Sequence, residues 1–426
     1  MKSVSKNLNS NISQQLFYLL VLVLFLRIDL VFENNTPTGG DMGAHIVAID
    51  TFIKDFMPNL QINGWSNDWF GGYPLYYFYF PLPAIITFIF NLIFPFGIAF
   101  KIMVVMSTIL VVYSIEKLMR KTSNQISIYG ATAGLFYVFT ESFTIYGGNL
   151  ASTLAGQFSF AYSLAFANLS IFYLIKSKNN FRFTISSIFL ALCLLSHLIP
   201  FIIYSPIYAF YWLSKKQNLN QRILSIFIFL ALASRWTISL LMNLEYTTNM
   251  SYTPFSRLDD LIKKDILPII FILIGLLIAK HKNLIKYKTI NLFDLYIISS
   301  SVLLYFYVPE GALWNGRLVP FFNLGIIFLF FKAVEIFIDD INLYQQGVNV
   351  LTGLFLGGTI YCLYIFYEKW SSNQSYLNLY IPIIFLIMIF AILNLKNVVV
   401  QLNLLIISII FSTISFLPHW LNWNFT

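Results

Sequence analysis

Long apolar stretches nearly free of charge alternate with short polar segments along this chain. The apolar stretches fall at residues 15–32, 98–117, 126–140, 152–175, 223–243, 266–280, 292–307, 317–336, 348–367, 378–395 and 401–418. A helix rises about 1.5 Å per residue, so roughly 20 residues cross a bilayer's hydrocarbon core. Each stretch therefore reads as a transmembrane helix or most of one. Two regions break the simple count. Residues 183–213 lie between two basic segments, so their net crossing must be even, yet they are too short for two full spans. A pair of short helices meeting at "SHLIP" resolves this, with Pro200 interrupting the helix and His197 at the outward apex. Residues 82–96 raise the same parity problem and read as a short or tilted segment entered from outside. The longest polar segment, 33–80, predicts a helix from Asp41 to about Phe56. An aromatic loop rich in Gly and Pro follows, "NGWSNDWFGGYPLYYFYFPLP", suited to the membrane interface. The segment is expected to lie along the membrane over a cavity.

The expected fold class is thus an all-α polytopic integral membrane protein with about 11–13 transmembrane or half-membrane helices. Residues 1–426 read as one transmembrane domain, with a first outer loop at 33–80, a core over 15–336 and C-terminal spans over 348–418. No repeat of fixed period appears. Composition agrees, because a chain 58% hydrophobic and 10% charged has too few charges to cover itself in water. The net charge of +8 matters through its placement. Basic groups cluster at Lys2/Lys6, Lys117/Arg120/Lys121, Lys176/Lys178/Arg182, Lys215/Lys216/Arg222, Lys280/Lys282/Lys286/Lys288 and Lys396. These mark the cytoplasmic side of a plasma-membrane protein whose N-terminus is cytoplasmic, and they do not call for a nucleic-acid partner. Lys2 and Lys6 precede the apolar run from Leu16 to Phe32, and no small-residue cleavage site follows, as in a retained signal anchor. Cys193 and Cys362 are the two cysteines, too few and too far apart for a disulfide framework or a cysteine metal site.

With charge so scarce, the ionisable groups of the outer segments stand out. In "TGGDMGAHIVAIDTF", Asp41 and His45 lie one helical turn apart, after Gly39 and Gly40. An N-cap role explains Asp41 alone. It leaves His45 unexplained, and a carboxylate beside an imidazole can share a proton, bind a metal or hold a hydroxyl nucleophile. In "TESFTIYGGNLASTLAGQFSF" a glycine pair and Asn149 open a helix whose first amides could face an anion, or could simply be capped. His197 sits between apolar residues at the apex. In "VPEGALWNGRLVPFF", Glu310, Trp314, Asn315 and Arg317 gather at an outer helix start. Arg317 runs against the charge bias there and has the two-pronged geometry that grips phosphate. Arg235, deep in a span, needs a partner that the local sequence does not supply.

Five stretches, in order, resemble the membrane glycosyltransferases of the GT-C fold: "GGDMGAH", "WFGGYPLYYFYFPLP", "GGNLASTLAGQFSF", "SHLIP" and "RLVPF", with "EYTTNMSY" a sixth and weaker one. More narrowly they resemble the prokaryotic membrane proteins labelled "6-pyruvoyl-tetrahydropterin synthase-related". The resemblance implies that Asp41 is a catalytic base or a ligand of a divalent cation (Mg or Mn), supported by His45. It implies a polyprenyl-phosphate sugar donor and an unidentified acceptor glycan, lipid or protein, met on the outer face of the membrane. Trp65, Trp69, Tyr73, Asn149, His197, Glu310, Trp314 and Arg317 are then the expected substrate-binding residues. The chain departs from the family pattern at Gln157, where Glu is expected. A transporter or lipid flippase is the rival reading. It would want polar groups near the bilayer midplane and repeated halves, and Arg27 and Arg235 are what speak for it. A catalytically inert scaffold is a third.

Overall fold

The protein's structure, a computed structural model, describes residues 28–122, 130–140, 144–176, 180–248, 252–262, 292–309 and 313–341, with isolated positions between them. The expected spans at 266–280 and 348–418, most of the first span, and Glu310 lie outside the described residues. Within them the fold is helical, apart from one small hairpin. The elements are α1 (Met42–Thr51), β1 (Gly64–Ser66), β2 (Tyr73–Leu75), α2 (Leu82–Asn91), α3 (Phe96–Thr122), α4 (Gly130–Phe139), α5 (Phe158–Lys176), α6 (Asn180–Ser196), α7 (Leu198–Ser214), α8 (Leu219–Met242), α9 (Leu292–Tyr307) and α10 (Val319–Ile341). Among the described residues, four helical segments are long and apolar enough to cross a membrane: Phe96–Arg120, Leu150–Lys176, Leu219–Met242 and Asn315–Ala333.

Helix α5 is the hub. It packs on α3, α6 and α7 and is buried along nearly its whole length. Lipid tails are as apolar as leucine, so helices in a membrane are held together by close packing and by hydrogen bonds between them. The α5 polar groups serve that end. The Tyr162 hydroxyl donates to the Met103 carbonyl at 2.7 Å, the Asn168 amide donates to Ser114 Oγ, and Tyr204 donates to Asn168 at 2.6 Å. Between α9 and α10 a buried ion pair does the same work, with Lys332 Nζ 2.6 and 2.8 Å from the two Asp294 oxygens.

The segment around "SHLIP" folds as the charge pattern requires. Helices α6 and α7 are 17 residues each, about 25 Å long, short of the ~30 Å core. They form an antiparallel hairpin. The Tyr208 hydroxyl meets Ser186 and Ser187, and Phe183 stacks on Trp212, equidistant from an apex at His197. Pro200 lies in the first turn of α7, where a missing amide costs nothing, and a continuous helix would need that amide to bond Ser196. The break therefore falls at His197. Residues 82–96 give the short helix α2 followed by a turn into α3.

The loop 33–80 is tied down along its length. Lys101 Nζ, buried on α3, donates to the Leu30 and Glu33 carbonyls and to Asn35 Oδ1, each at 2.6 Å. Arg235 donates to the Leu60 carbonyl at 2.7 Å, and Asn63 donates to Ser239 on the same helix. Trp236 Nε1 donates to the Tyr79 carbonyl at 2.9 Å. Arg235 thus finds its partner in the loop backbone. Helix α1 runs on through a wide turn at Phe52–Phe56, and the aromatic stretch forms the antiparallel β1–β2 hairpin where a simple loop was expected.

Candidate functional site

Beneath this loop lies a cavity of about 510 Å³. Its walls come from α1, the hairpin and the residues after it, the turn before α5, the α6–α7 apex and the turn before α10.

The first wall begins with the glycine pair. Gly39 and Gly40 have φ of 100° and 51°, and a side chain on Gly40 would strike the Ala155 carbonyl. That close approach lets the Asp41 amide donate to the same carbonyl at 3.0 Å. Asp41 stands at the N-cap of α1, yet its carboxylate makes no capping bond. It accepts instead from Gln157 Nε2 at 3.3 Å. The capping explanation of Asp41 therefore fails, and its charge is turned toward the cavity. One turn on, His45 bonds the Gly156 carbonyl and packs against Phe158 and Tyr79, with ring centroids 4.8 and 5.4 Å away. Burial lowers its pKa to about 4, against the Asp41 charge and the Gly156 bond, which both raise it. At neutral pH it is an uncharged ring that fixes the turn beneath Asp41. Burial likewise lifts Tyr79 to about 12, so it stays a neutral hydroxyl.

The second wall is the widened turn Thr153–Gln157, in which Gly156 has φ 102°. Such turns carry an extra residue and re-aim the side chains that follow. Here that side chain is Gln157. Its Oε1 accepts from Arg317 Nη1 at 2.7 Å while its amide reaches Asp41. The same Nη1 donates to the Tyr146 carbonyl at 3.2 Å, and the guanidinium lies 5.9 Å from the centroid of Trp314. Arg317 itself sits in the tight turn Asn315–Leu318 before α10. Buried Asn315 holds the neighbouring segment, bonding the Phe255 amide and carbonyl and the Tyr305 carbonyl. That arrangement stacks Tyr252 on Trp314 at 5.2 Å.

His197 lines the cavity from the apex, stacked on Phe80 at 4.6 Å. Its Nδ1 accepts the Ile199 amide, so in the neutral ring Nε2 carries the proton. Trp69 and Tyr73 line the cavity with rings 5.8 Å apart.

The structure thus brings Asp41, His45, Trp69, Tyr73, His197, Trp314 and Arg317 to one cavity. Two expected residues are elsewhere. Trp65 pairs with Pro74 across the hairpin, and side chains alternate along a strand, so it points away from the face of Tyr73 and Leu75 and is 62% exposed. Asn149 is fully buried as a helix cap: it accepts the Ser152 amide at 2.8 Å and donates to the Thr140 carbonyl at 2.6 Å. Gln157, Tyr79 and Tyr252 line the cavity without having been singled out as site residues. The departure from the family pattern was the one signal that pointed at Gln157. Among the described residues no three His, Cys, Asp or Glu side chains converge, and Asp41 is the one carboxylate on the cavity.

No family model and no curated protein matches the chain. Solved structures do. ArnT from Cupriavidus metallidurans in the apo state superposes with a TM-score of 0.58 at 11% identity, over 97% of this chain and 76% of that one. The same protein bound to undecaprenyl phosphate gives 0.59 at 13%, over 96% and 77%. The arabinofuranosyltransferase AftD from Mycobacteria gives 0.52 at 12%, over 81% of this chain and 27% of that much longer one. At such identities the likeness concerns fold: this chain is a membrane protein with the GT-C fold.

Proposed function

We propose that the protein is a glycosyltransferase that moves a sugar from a polyprenyl-phosphate donor to an acceptor hydroxyl at the outer face of the plasma membrane. The observation that carries this reading is the line Asp41–Gln157–Arg317, which sets a carboxylate and a guanidinium on one aromatic-walled cavity. The chemistry needs those two groups. As the acceptor oxygen bonds to the anomeric carbon, its proton passes to the Asp41 carboxylate. The bond from that carbon to the phosphate oxygen breaks, and the phosphate leaves with the electron pair. Arg317 meets the charge that grows there. Trp69, Tyr73 and Trp314 offer faces for the sugar ring, and neutral His197 offers one N–H to a phosphate or sugar oxygen. The fold shared with ArnT, which has been captured with undecaprenyl phosphate, supports this choice of donor class.

The test uses purified full-length protein with undecaprenyl phosphate as the binding probe and a labelled polyprenyl-phosphate sugar as donor. Asp41→Asn is expected to abolish transfer while leaving probe affinity and melting temperature near wild type, because the carboxylate caps nothing. Normal turnover in that variant, or no binding of undecaprenyl phosphate by the wild type, would defeat the reading.

A further inference from the structure

We propose that Gln157 is a positioning residue that keeps the Asp41 carboxylate and the Arg317 guanidinium coupled but apart. The inference rests on the reading of Arg317 as the phosphate-binding cation. Its geometric basis does not, because the amide's orientation is fixed by its neighbours. Arg317 can only donate, so the atom 2.7 Å away must be the amide oxygen. Asp41, ionised, can only accept, so the atom 3.3 Å away must be the nitrogen. Each end of one neutral side chain therefore satisfies one charge. The backbone is shaped for this. The wide turn and the positive φ of Gly156 set Gln157 between Asp41, on the loop, and Arg317, on the turn before α10.

The spacer has consequences that an absent one would lack. Opposite charges a side chain's length apart attract each other. Without the spacer, Arg317 would close on Asp41 and form a contact ion pair, costing the site both its base and its anion receptor. The amide leaves Arg317 with no carboxylate bonded to it among the described residues, and so with its charge available to an anionic ligand.

Gln157→Ala, Asp41→Asn and the double variant Asp41→Asn/Gln157→Ala test this in the full chain, with undecaprenyl phosphate affinity and ligand-free melting temperature as readouts. Gln157→Ala is expected to weaken binding by roughly tenfold, the worth of one hydrogen bond to a charged group. Adding Asp41→Asn to Gln157→Ala should restore affinity, since it removes the carboxylate that captures Arg317. A merely structural role for Gln157 predicts no such rescue. In the melting series, Asp41→Asn should be nearly silent alone and destabilising in the Gln157→Ala background, where it breaks the new ion pair. If wild type fails to bind the lipid phosphate, the donor reading falls and the melting series alone still decides the role of Gln157. Additive melting shifts, or a double variant no better than Gln157→Ala in binding, would overturn the proposal.

Discussion

Gly156→Ala perturbs the site through its backbone, and its cost can be worked from two observations. The residue has φ 102°, where an L side chain is strained by about 1–3 kcal/mol. The added methyl would also lie 2.9 Å from Asp41 Cβ and 3.2 Å from His45 Cδ2. Neither neighbour can yield cheaply, because the loop carrying them is docked backbone to backbone on Ala155, with Gly40 already at closest approach. Relief requires the loop to lift, which loosens the Asp41 contact with Ala155 and the His45 contact with Gly156. A total of about 2–4 kcal/mol is expected, adding a moderate overpacking cost to the strain. Gly43→Ala is the control. Gly43 lies on α1, the helix that carries His45, with nothing within 4 Å of a methyl group, and alanine there should stabilise α1 by about 0.5–1 kcal/mol. Melting temperatures of the two variants in one detergent make the comparison, and undecaprenyl phosphate affinity reports the site. Equal melting temperatures would refute the claim that the loop and the widened turn are locked together.

Three further outcomes are expected. Lys332→Met should destabilise by about 3–5 kcal/mol by removing the cation of a buried ion pair. The double variant Lys332→Met/Asp294→Leu should recover most of that; a double variant as unstable as the single one would show that the ion pair is not the cause. Acid should weaken the protein through His45. Its pKa is about 4 when folded against 6.5 when free, so the unfolded chain takes up the proton first and stability falls as pH drops from about 6.5 toward 4. The loss is at most about 3 kcal/mol, since one edge of the ring meets the cavity; a His45→Gln protein with the same acid profile would exclude this group. Asn149→Ala should lower the melting temperature, with about 1 kcal/mol from the lost cap and more from the buried Thr140 carbonyl left without its donor. The probe affinity of the folded protein should stay unchanged, and weakened affinity at unchanged stability would return Asn149 to the site.

Membrane physics made much of the fold legible. Charge parity with the span length required a hairpin over 183–213, and Pro200 located its apex. Scarcity of charge singled out Asp41, His45 and Arg317, which line one cavity in space. Other features depend on relations that local pattern does not carry. Trp65 and Tyr73 look alike in a run of aromatics, and only the pairing of β1 with β2 puts them on opposite faces. Asn149 heads a helix start in either role, and burial alone separates a cap from a ligand group. Asp294 and Lys332 were readable in principle, because two charges in neighbouring spans need partners. Gln157 carries no charge, so a search for ionisable groups passes over it.

The three groups of the proposed site come from residues 41, 157 and 317, and each stands where the backbone leaves regular helix: after a glycine pair, in a widened turn, in a tight turn. Irregular backbone in or near a membrane survives only if protein supplies its missing hydrogen bonds. Here the irregular stretches supply one another. The Asp41 amide bonds Ala155, the His45 ring bonds Gly156, and the Arg317 side chain bonds the Tyr146 carbonyl. Helix and hairpin ends that would each be costly alone are satisfied by meeting, and the cavity is the space left between them. The carboxylate and the guanidinium are therefore held by the same contacts that hold the fold. Loss of those contacts should appear as lost stability and lost binding together, whereas loss of Asp41's charge should appear in transfer alone.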